Sequence, residues 1–502
     1  MKNIYVLILA TFMLFGAACN KSFLEVDPKA LQIEENYYKN PQEAFNGLVA
    51  AYDPLSWEGV SQYANFVVFV AGADECYSGG GSSSDLPYLQ ALNNYSISPG
   101  IGPQLDFWKM YFVGVARSNT IINILNNKEI SGLAGEVKAR YIAEAKILRA
   151  YYYFSLVRLF RNIPFYTEPV TSEEIYNLEQ VDPATVYAQV EKDLTEAIAE
   201  GSLPDKVDAA TEGGRMTRGI AKALLGKVYL YEEKWPAAAS VLAEVNGTPG
   251  SANDTYGYKL LDNFADIFNP EHLHSSESIL EFNHTATASS GWGNTSKVEG
   301  LIATTMLGPR SYKGSVYVFG WGGCPIIPEF SQLMYSDPRY QATIADVDSL
   351  VGLGEATYAP GYLNTGKFVR KYAPLLAYRP TTGGPPPLNY PQNYIEIRLA
   401  DTYLMEAEAL LESGGSATRA GQLLNAVRAR VGLPAVAATL ENIYLERRKE
   451  LATEGHRWFD LVRWGQAATV LAYKGFTAGK NEIFPIPLAE MNNTKLVQNP
   501  GY

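Results

Sequence analysis

Two adjacent carboxylates, Asp74 and Glu75, lie in the stretch GADECYSGGGSSSDLPY, followed by Tyr77, a Gly/Ser turn, Asp85 and Tyr88. Paired carboxylates raise the question of glycoside hydrolysis, which needs one acid on each side of the scissile bond. Neighbouring residues tend to point apart, so this pair suits that chemistry badly. Tyrosines and carboxylates around a flexible turn suit a different task. A sugar presents a flat C–H face and a rim of hydroxyls. It is held by an aromatic ring beneath the face and by Asp, Asn, Glu or Arg at the rim. A second stretch, from SSGWGNTS to GSVYVFGWGG, has the same makeup: Trp292, Asn294, Arg310, Tyr312, Tyr317 and Trp321. Glycines flank Trp292 and Trp321, so little bulk masks their rings. These two are the leading candidates for stacking on a ligand. The competing expectation for each ring is that it packs an irregular loop against the body; Trp57 and Trp108 are expected in the core.

Other chemistry is scarce. The chain has no GxxxxGK[ST] phosphate loop, no HExxH and no GxSxG. His272 and His274, with His284, read as ordinary surface imidazoles rather than a metal site. No cofactor is expected, with calcium on a loop carboxylate cluster left open. A net charge of −12 argues against nucleic acid, which needs a basic face.

The densest run of charge is ERRKELATEGHRWFDLVRWG, residues 446–465. It reads as two helices meeting near Gly455. Glu446, Glu450 and Glu454 recur at i, i+4 and share one face, while Trp458, Leu461, Val462 and Gly465 form a packed face of the second helix. Arg457, Asp460 and Arg463 then bridge to the first helix. The expectation is a structural helix–helix joint, because the run holds no nucleophile with a matched base.

The elements that position these residues are mostly helical. A helix starts near Pro41, with Pro early and Glu in the first turn. GEVKARYIAEAKILRAYYYFSLVRLF carries Leu148, Tyr152, Leu156 and Leu159 at helical spacing. DPATVYAQVEKDLTEAIAEG opens on the cap Asp182 and Pro183. TRGIAKALLGKVYLYEEKWPAAASVLAEV reads as two helices meeting near Trp235-Pro236. Its Leu225-Gly226-x-x-Tyr229 with Ala238 and Leu242 resembles a tetratricopeptide pair: Gly226 lets the partner approach, and Tyr229 and Leu242 fill the seam. IEIRLADTYLMEAEALLESGG predicts a helix with Ile397, Ala400, Leu404, Ala407 and Leu411 in one stripe, and SATRAGQLLNAVRARVG its partner.

The length prior suggests about three domains. The helical pairs are nevertheless scattered around irregular blocks, which predicts one domain, mostly α. In this reading residues 1–18 are a leader, 19–40 a tether and 41–502 the domain. The helical scaffold covers about 41–56, 104–246 and 394–473, and loop-rich excursions with a few short strands cover about 57–103 and 247–393. The leader MKNIYVLILATFMLFGAAC is too short for a comfortable membrane span and reads as a signal segment. Its Gly16-Ala17-Ala18-Cys19 ending looks like a bacterial lipobox, with Gly16 where a large aliphatic usually stands. Acylation at Cys19, by palmitate or a similar chain, would tether a soluble body to a membrane. Cys76 and Cys324 are too few for a disulfide framework. They are expected as buried thiols, with pairing left open in an oxidising compartment.

ERRKELATEGHRWFDLVRWG, preceded by IRLADTYLMEAEAL and followed by NEIFPIPLAEMNNTKLVQNPGY, resembles the SusD-like (RagB/SusD) nutrient-binding outer-membrane lipoproteins of Bacteroidetes. CNKSFLEVDP and TRGIAKALLGKVYLY carry the same likeness. The resemblance implies a single domain built on tetratricopeptide-like helix pairs that carry a lid over a TonB-dependent, SusC-type outer-membrane transporter. It implies a site on the irregular excursions, a cargo that is usually an oligosaccharide, and no catalysis. It also implies an outer-membrane, lipid-anchored protein facing the exterior. Glu25 and Asp27 lie six and eight residues beyond Cys19 with Lys21 between, which departs from the acidic export signal of such proteins. Peptide or other non-glycan cargo, and an adaptor that binds nothing, are the alternatives; a glycoside hydrolase ranks last.

Overall fold

The structure, a computed structural model, describes residues 37–57, 66–286, 291–292, 298–382 and 384–502. The leader, Cys19, most of the tether and Asn294 lie outside the described residues. Among those described, no helix is long and apolar enough to cross a membrane.

The first helix, α1 (Pro41–Tyr52), opens on an Asn40 cap whose side chain accepts from the Glu43 N–H. Short helices α2 (Val67–Gly72) and α3 (Pro87–Asn93) punctuate the first excursion. Then come α4 (Gln104–Asn127) and α5 (Gly135–Phe160). No side chain caps α4, which is why its start carries no sequence signal. Next is α6 (Pro183–Ala199), where Asp182 caps the Ala184 N–H as its sequence predicts. The pair α7 (Arg218–Tyr231) and α8 (Trp235–Asn246) breaks before Trp235. After the second excursion come α9 (Leu399–Glu412), α10 (Ala417–Arg430), α11 (Leu440–Glu450) and α12 (Arg457–Arg463). From α4 to α10 each helix packs on the next in chain order, the arrangement of tetratricopeptide-like pairs. Polar ties cross the stack. Arg149 of α5 forks onto Asp193 of α6 at 2.7 and 2.8 Å, both side chains buried, and donates to Asn119 of α4. Trp108 is buried, and Trp57 is half-buried beneath Arg117.

Gly226 is where α7 and α8 close. A Cβ there would sit 2.5 Å from the Leu242 side chain. Alanine favours a helix by about 1 kcal/mol over glycine, but overpacking a closed seam costs roughly 1–3 kcal/mol. Gly226→Ala is therefore expected to lower Tm. A raised Tm in a thermal melt would mean the seam is loose.

One helix expectation needs correcting. Residues 394–398 are a strand, and the helix begins at Leu399, so Ile397 does not share a helical stripe with Ala400 and Leu404. Tyr-Ile-Glu-Ile-Arg alternates with a period of two, and Ile395 and Ile397 face the core. The strands used below are β1 (Ser278–Phe282), β2 (Ile344–Asp346), β3 (Lys367–Val369) and β4 (Tyr394–Arg398). β4 pairs antiparallel with β1, Phe282 opposite Tyr394 and Ser278 opposite Arg398. β2 pairs with β3 inside the second excursion.

The charged run at 446–465 joins this excursion to the scaffold. Arg398 of β4 reaches Glu277 at 2.9 Å, Glu450 at 2.6 Å and Glu454 at 2.8 Å. Arg339 forks onto Asp337 and reaches Glu446 at 2.6 Å and Glu450 at 2.7 Å. Lys371 donates to Glu454 at 2.6 Å and to the Glu450 carbonyl. All these side chains are buried. Burial pushes the Glu450 carboxyl up, but the guanidinium groups of Arg430, Arg398 and Arg339 outweigh it and hold it well below the usual range. Burial lowers the Lys371 ammonium to about 8 despite Glu454. Four details differ from the sequence reading, the first being that Arg463 pairs with Glu408 of α9 and with Asp460 of its own helix rather than with α11. Helix α11 ends at Glu450, so Glu454 stands in the following turn, just before Gly455 at φ +89°. Arg457 bridges to Asp74 rather than to α11. Gly465 is exposed. Asp460 does join the two helices, at 3.0 Å from Arg447.

Candidate functional site

The two aromatic-rich stretches meet. Residues 75–80 run antiparallel to 322–327. The N–H of Tyr77 donates to the Pro325 carbonyl at 2.9 Å, that of Gly79 to Gly323 at 2.8 Å, and that of Gly80 to Gly322 at 2.8 Å. Gly79 has no room for a side chain, since a Cβ would lie 2.1 Å from the Gly322 carbonyl oxygen. On its other edge the second stretch is pinned again. The N–H of Trp321 donates to Thr305 at 2.9 Å, that of Gly322 to Gly308 and that of Gly323 to Met306 at 2.7 Å each. Backbone bonded on both edges gives the Trp321 ring a rigid base.

Trp321 is half-buried and Trp292 is 51% exposed. Their ring centroids are 6.1 Å apart and their planes 35° apart. Trp292 stands largely in water beside Trp321, which packs on the main core, so the pair presents an apolar face to solvent. Arg310 borders it. Its stem lies against Gly322 and Gly361, and its guanidinium is 3.7 Å from Asp85 and 3.5 Å from the Trp321 carbonyl. These are long contacts, so among the described residues the guanidinium is only loosely held. Asp85 is more committed: it accepts from the Gly81 N–H at 2.6 Å and the Leu86 N–H at 2.9 Å, which closes the Gly/Ser turn. The arrangement offers two tilted rings with a charged donor and a carboxylate beside them.

Other sequence candidates lie elsewhere. Asp74 and Glu75 are buried, which corrects the expectation that they reach a ligand. Asp74 is spent on Arg457 at 2.8 Å and Arg448 at 2.8 Å. Burial raises its carboxyl, and those two cations more than reverse the effect. Glu75 accepts the Thr453 N–H at 3.1 Å. Tyr312 and Tyr317 are also buried, edge to face at 5.4 Å, in a small core with Val347 and Phe368, so they do not present rings to a ligand. Tyr77 is half-buried with its phenol towards Glu329 and Tyr473. Tyr88 is half-buried in the first turn of α3. His274 is bonded to Asn283 at 2.7 Å. Phe319, absent from the sequence candidates, is 54% exposed and adds another open ring to the Trp321 segment.

Glu75 gives a pH test. Burial first, and then the Asp74 charge, push its carboxyl from 4.5 to about 8. A folded value above the unfolded one means the group's contribution is complete below about pH 4.5 and is lost as pH rises through 8. Glu75→Gln stays neutral throughout. It is expected to melt a few degrees above the parent at pH 8 and to show no gain at pH 4. A gain of equal size at both values would rule out a buried, protonated Glu75.

Comparison with known proteins follows the same geometry. A profile of the SusD family matches residues 336–481. A second, described as starch-binding associating with outer membrane, matches residues 76–230. A solved laminarin-binding SusD-like protein is 48% identical, with 93% of this chain and 100% of that one covered and a TM-score of 0.87. The surface glycan-binding protein A of Bacteroides thetaiotaomicron, solved with laminarihexaose, is 27% identical over 92% of this chain and 99% of that one, with a TM-score of 0.82. SusD-like protein P25 of Formosa agariphila is 27% identical over 99% of each chain.

Proposed function

Since this chain belongs to the SusD-like family, we propose that it captures a glycan and that its cargo is laminarin, which is named with one similar structure, as laminarihexaose is with another. The observation that carries the reading is the Trp292–Trp321 pair. Stacking on sugar faces needs open rings: Trp292 is half exposed, and Trp321 beside it is half-buried on a backbone bonded along both edges. Their 35° tilt suits a chain that turns from one unit to the next better than a flat ribbon. Arg310 and Asp85 stand where ring hydroxyls would need partners. The protein acts by binding: the one adjacent carboxylate pair that suggested hydrolysis is sealed inside, with Asp74 held by arginines.

Anchoring and delivery belong to the same proposal. Cys19 is acylated after the leader is removed, the body of the protein faces the cell exterior at the outer membrane, and it closes over a TonB-dependent transporter of the SusC type. The lipobox-like ending supports the anchor, and the description of the second matched family supports the membrane.

The test is direct. Mature protein is screened by affinity electrophoresis and calorimetry against laminarin, laminarihexaose, starch, cellulose oligosaccharides and a peptide mixture. Retardation by laminarin with saturable heat from laminarihexaose is the expected result. Preference for starch or cellulose would replace the cargo. Binding of peptides alone, or of nothing, would replace glycan capture with a peptide carrier or an adaptor.

A further inference from the structure

Cys76 and Cys324 stand at the roots of the two arms that carry the site. Cys76 leads into the Gly/Ser turn, and Cys324 follows Trp321 by three residues. Cys76 lies opposite Ile326 in an antiparallel bridge. The bonds flanking it run from the Tyr77 N–H to the Pro325 carbonyl and from the Ile327 N–H to the Glu75 carbonyl. That pattern marks the closely spaced kind of cross-strand pair. Two residues back along the same face comes Cys324, the diagonal neighbour of Cys76. Both are wholly buried free thiols, and burial first, then the neighbouring Cys324 thiol, pushes the Cys76 thiol up. The remaining cysteine of the chain is Cys19.

We propose that the exported protein closes a Cys76–Cys324 disulfide, which clasps the two arms beneath the tryptophan pair. The bond forms by exchange with a disulfide-bearing oxidant, either a thiol oxidoreductase or a small disulfide. One cysteine thiolate attacks the oxidant's sulfur and gives a mixed disulfide. The second thiolate displaces that sulfur, and the oxidant ends as a dithiol, or for a small disulfide as two separate thiols, having taken up two electrons and the two cysteine protons. In the finished fold both sulfurs are out of reach of water and burial pushes the Cys76 thiol up, so exchange belongs to the stage before the arms pack. A bond so placed closes a loop of roughly 250 residues, a large restriction on the unfolded chain in the entropic account.

The experiment uses the full chain, exported through its own leader. The protein is unfolded in guanidinium with iodoacetamide and no reductant, digested and mapped. Expected are joined Cys76 and Cys324 peptides, lighter by two hydrogens than the sum of the free ones, that separate and alkylate only after reduction. Alkylation of both cysteines without reductant overturns the proposal. A second arm refolds reduced chain with oxidised glutathione or with dithiothreitol. The first product is expected to melt several degrees higher. Equal melting of a mapped disulfide form and the dithiol form overturns the clasp. Neither readout involves a glycan, so this proposal stands or falls separately from the assignment of cargo.

Discussion

Trp321→Ala is expected to weaken laminarin binding by tenfold or more, and the double change Trp292→Ala, Trp321→Ala to bring it below detection by calorimetry. Stacking of a flat polar ring on an aromatic side chain is worth about 1–3 kcal/mol on the scale measured for nucleic-acid bases, borrowed here for a sugar face. Each 1.4 kcal/mol is about tenfold in Kd. The two rings are neighbours, so their effects need not add. Trp292 is half exposed, so its truncation leaves the fold nearly untouched. Trp321 is more enclosed, and Trp321→Phe separates loss of the ring from loss of shape: phenylalanine keeps a flat face and should recover part of the affinity. Unchanged laminarin affinity in the double variant, with an unchanged melt, would remove the platform from the binding site.

Arg398→Ala is expected to be among the most destabilising single changes in the scaffold. It leaves Glu277, Glu450 and Glu454 buried around an empty place. Breaking a buried ion pair from one side typically costs about 3–5 kcal/mol, because the remaining charge has neither water nor partner. Lysine should not rescue it, since Arg398 uses three nitrogens on three carboxylates and a carbonyl. The pH dependence has a definite sign. Glu450, Glu454, Asp337 and Asp460 are all held below their ordinary values by arginines and lysines that overcome burial. Their contribution is present above the unfolded pKa of about 4 and is lost as pH falls through the folded values. In Arg398→Ala the facing glutamates gain by protonation. The stability gap to the parent, measured by urea unfolding, is therefore expected to narrow from pH 7 to pH 4. A gap that stays constant would mean these carboxylates are not what the arginine serves.

The helical stack was legible because its causes are local. Asp182-Pro183 caps α6 within two residues, and the apolar spacing of α5 repeats every turn. The strand at 394–398 was hidden because two periods abut there, with alternation up to Arg398 and helical spacing from Leu399. The charged joint was legible as scaffold but not in its partners. Arg339 and Arg398 approach Glu450 from 111 and 52 residues away, and no local pattern announces them. The same holds at the site. Glycines beside Trp292 and Trp321 mark rings with little around them, a local feature. Asp74 carried no sign of Arg457, which reaches it from 383 residues along the chain. A carboxylate next to a flexible turn reads as available until its distant cation is known.

The pairing of β1 with β4 has a consequence for how such a protein changes over time. Phe282 faces Tyr394, so everything between them leaves and re-enters the frame at one doorway, about 5 Å wide. A segment with adjoining ends can be lengthened, shortened or rewritten at little cost, because doubling a flexible loop adds only about 0.6 kcal/mol of closure entropy. Two polar pegs, Arg339 and Lys371, lock the inserted segment onto α11 and the turn after it, and buried side chains such as Phe330 and Tyr372 seat its inner face in the main core. A lineage that keeps the doorway and the two pegs is free to redraw the ring-bearing surface between them, and so to change diet without rebuilding the protein.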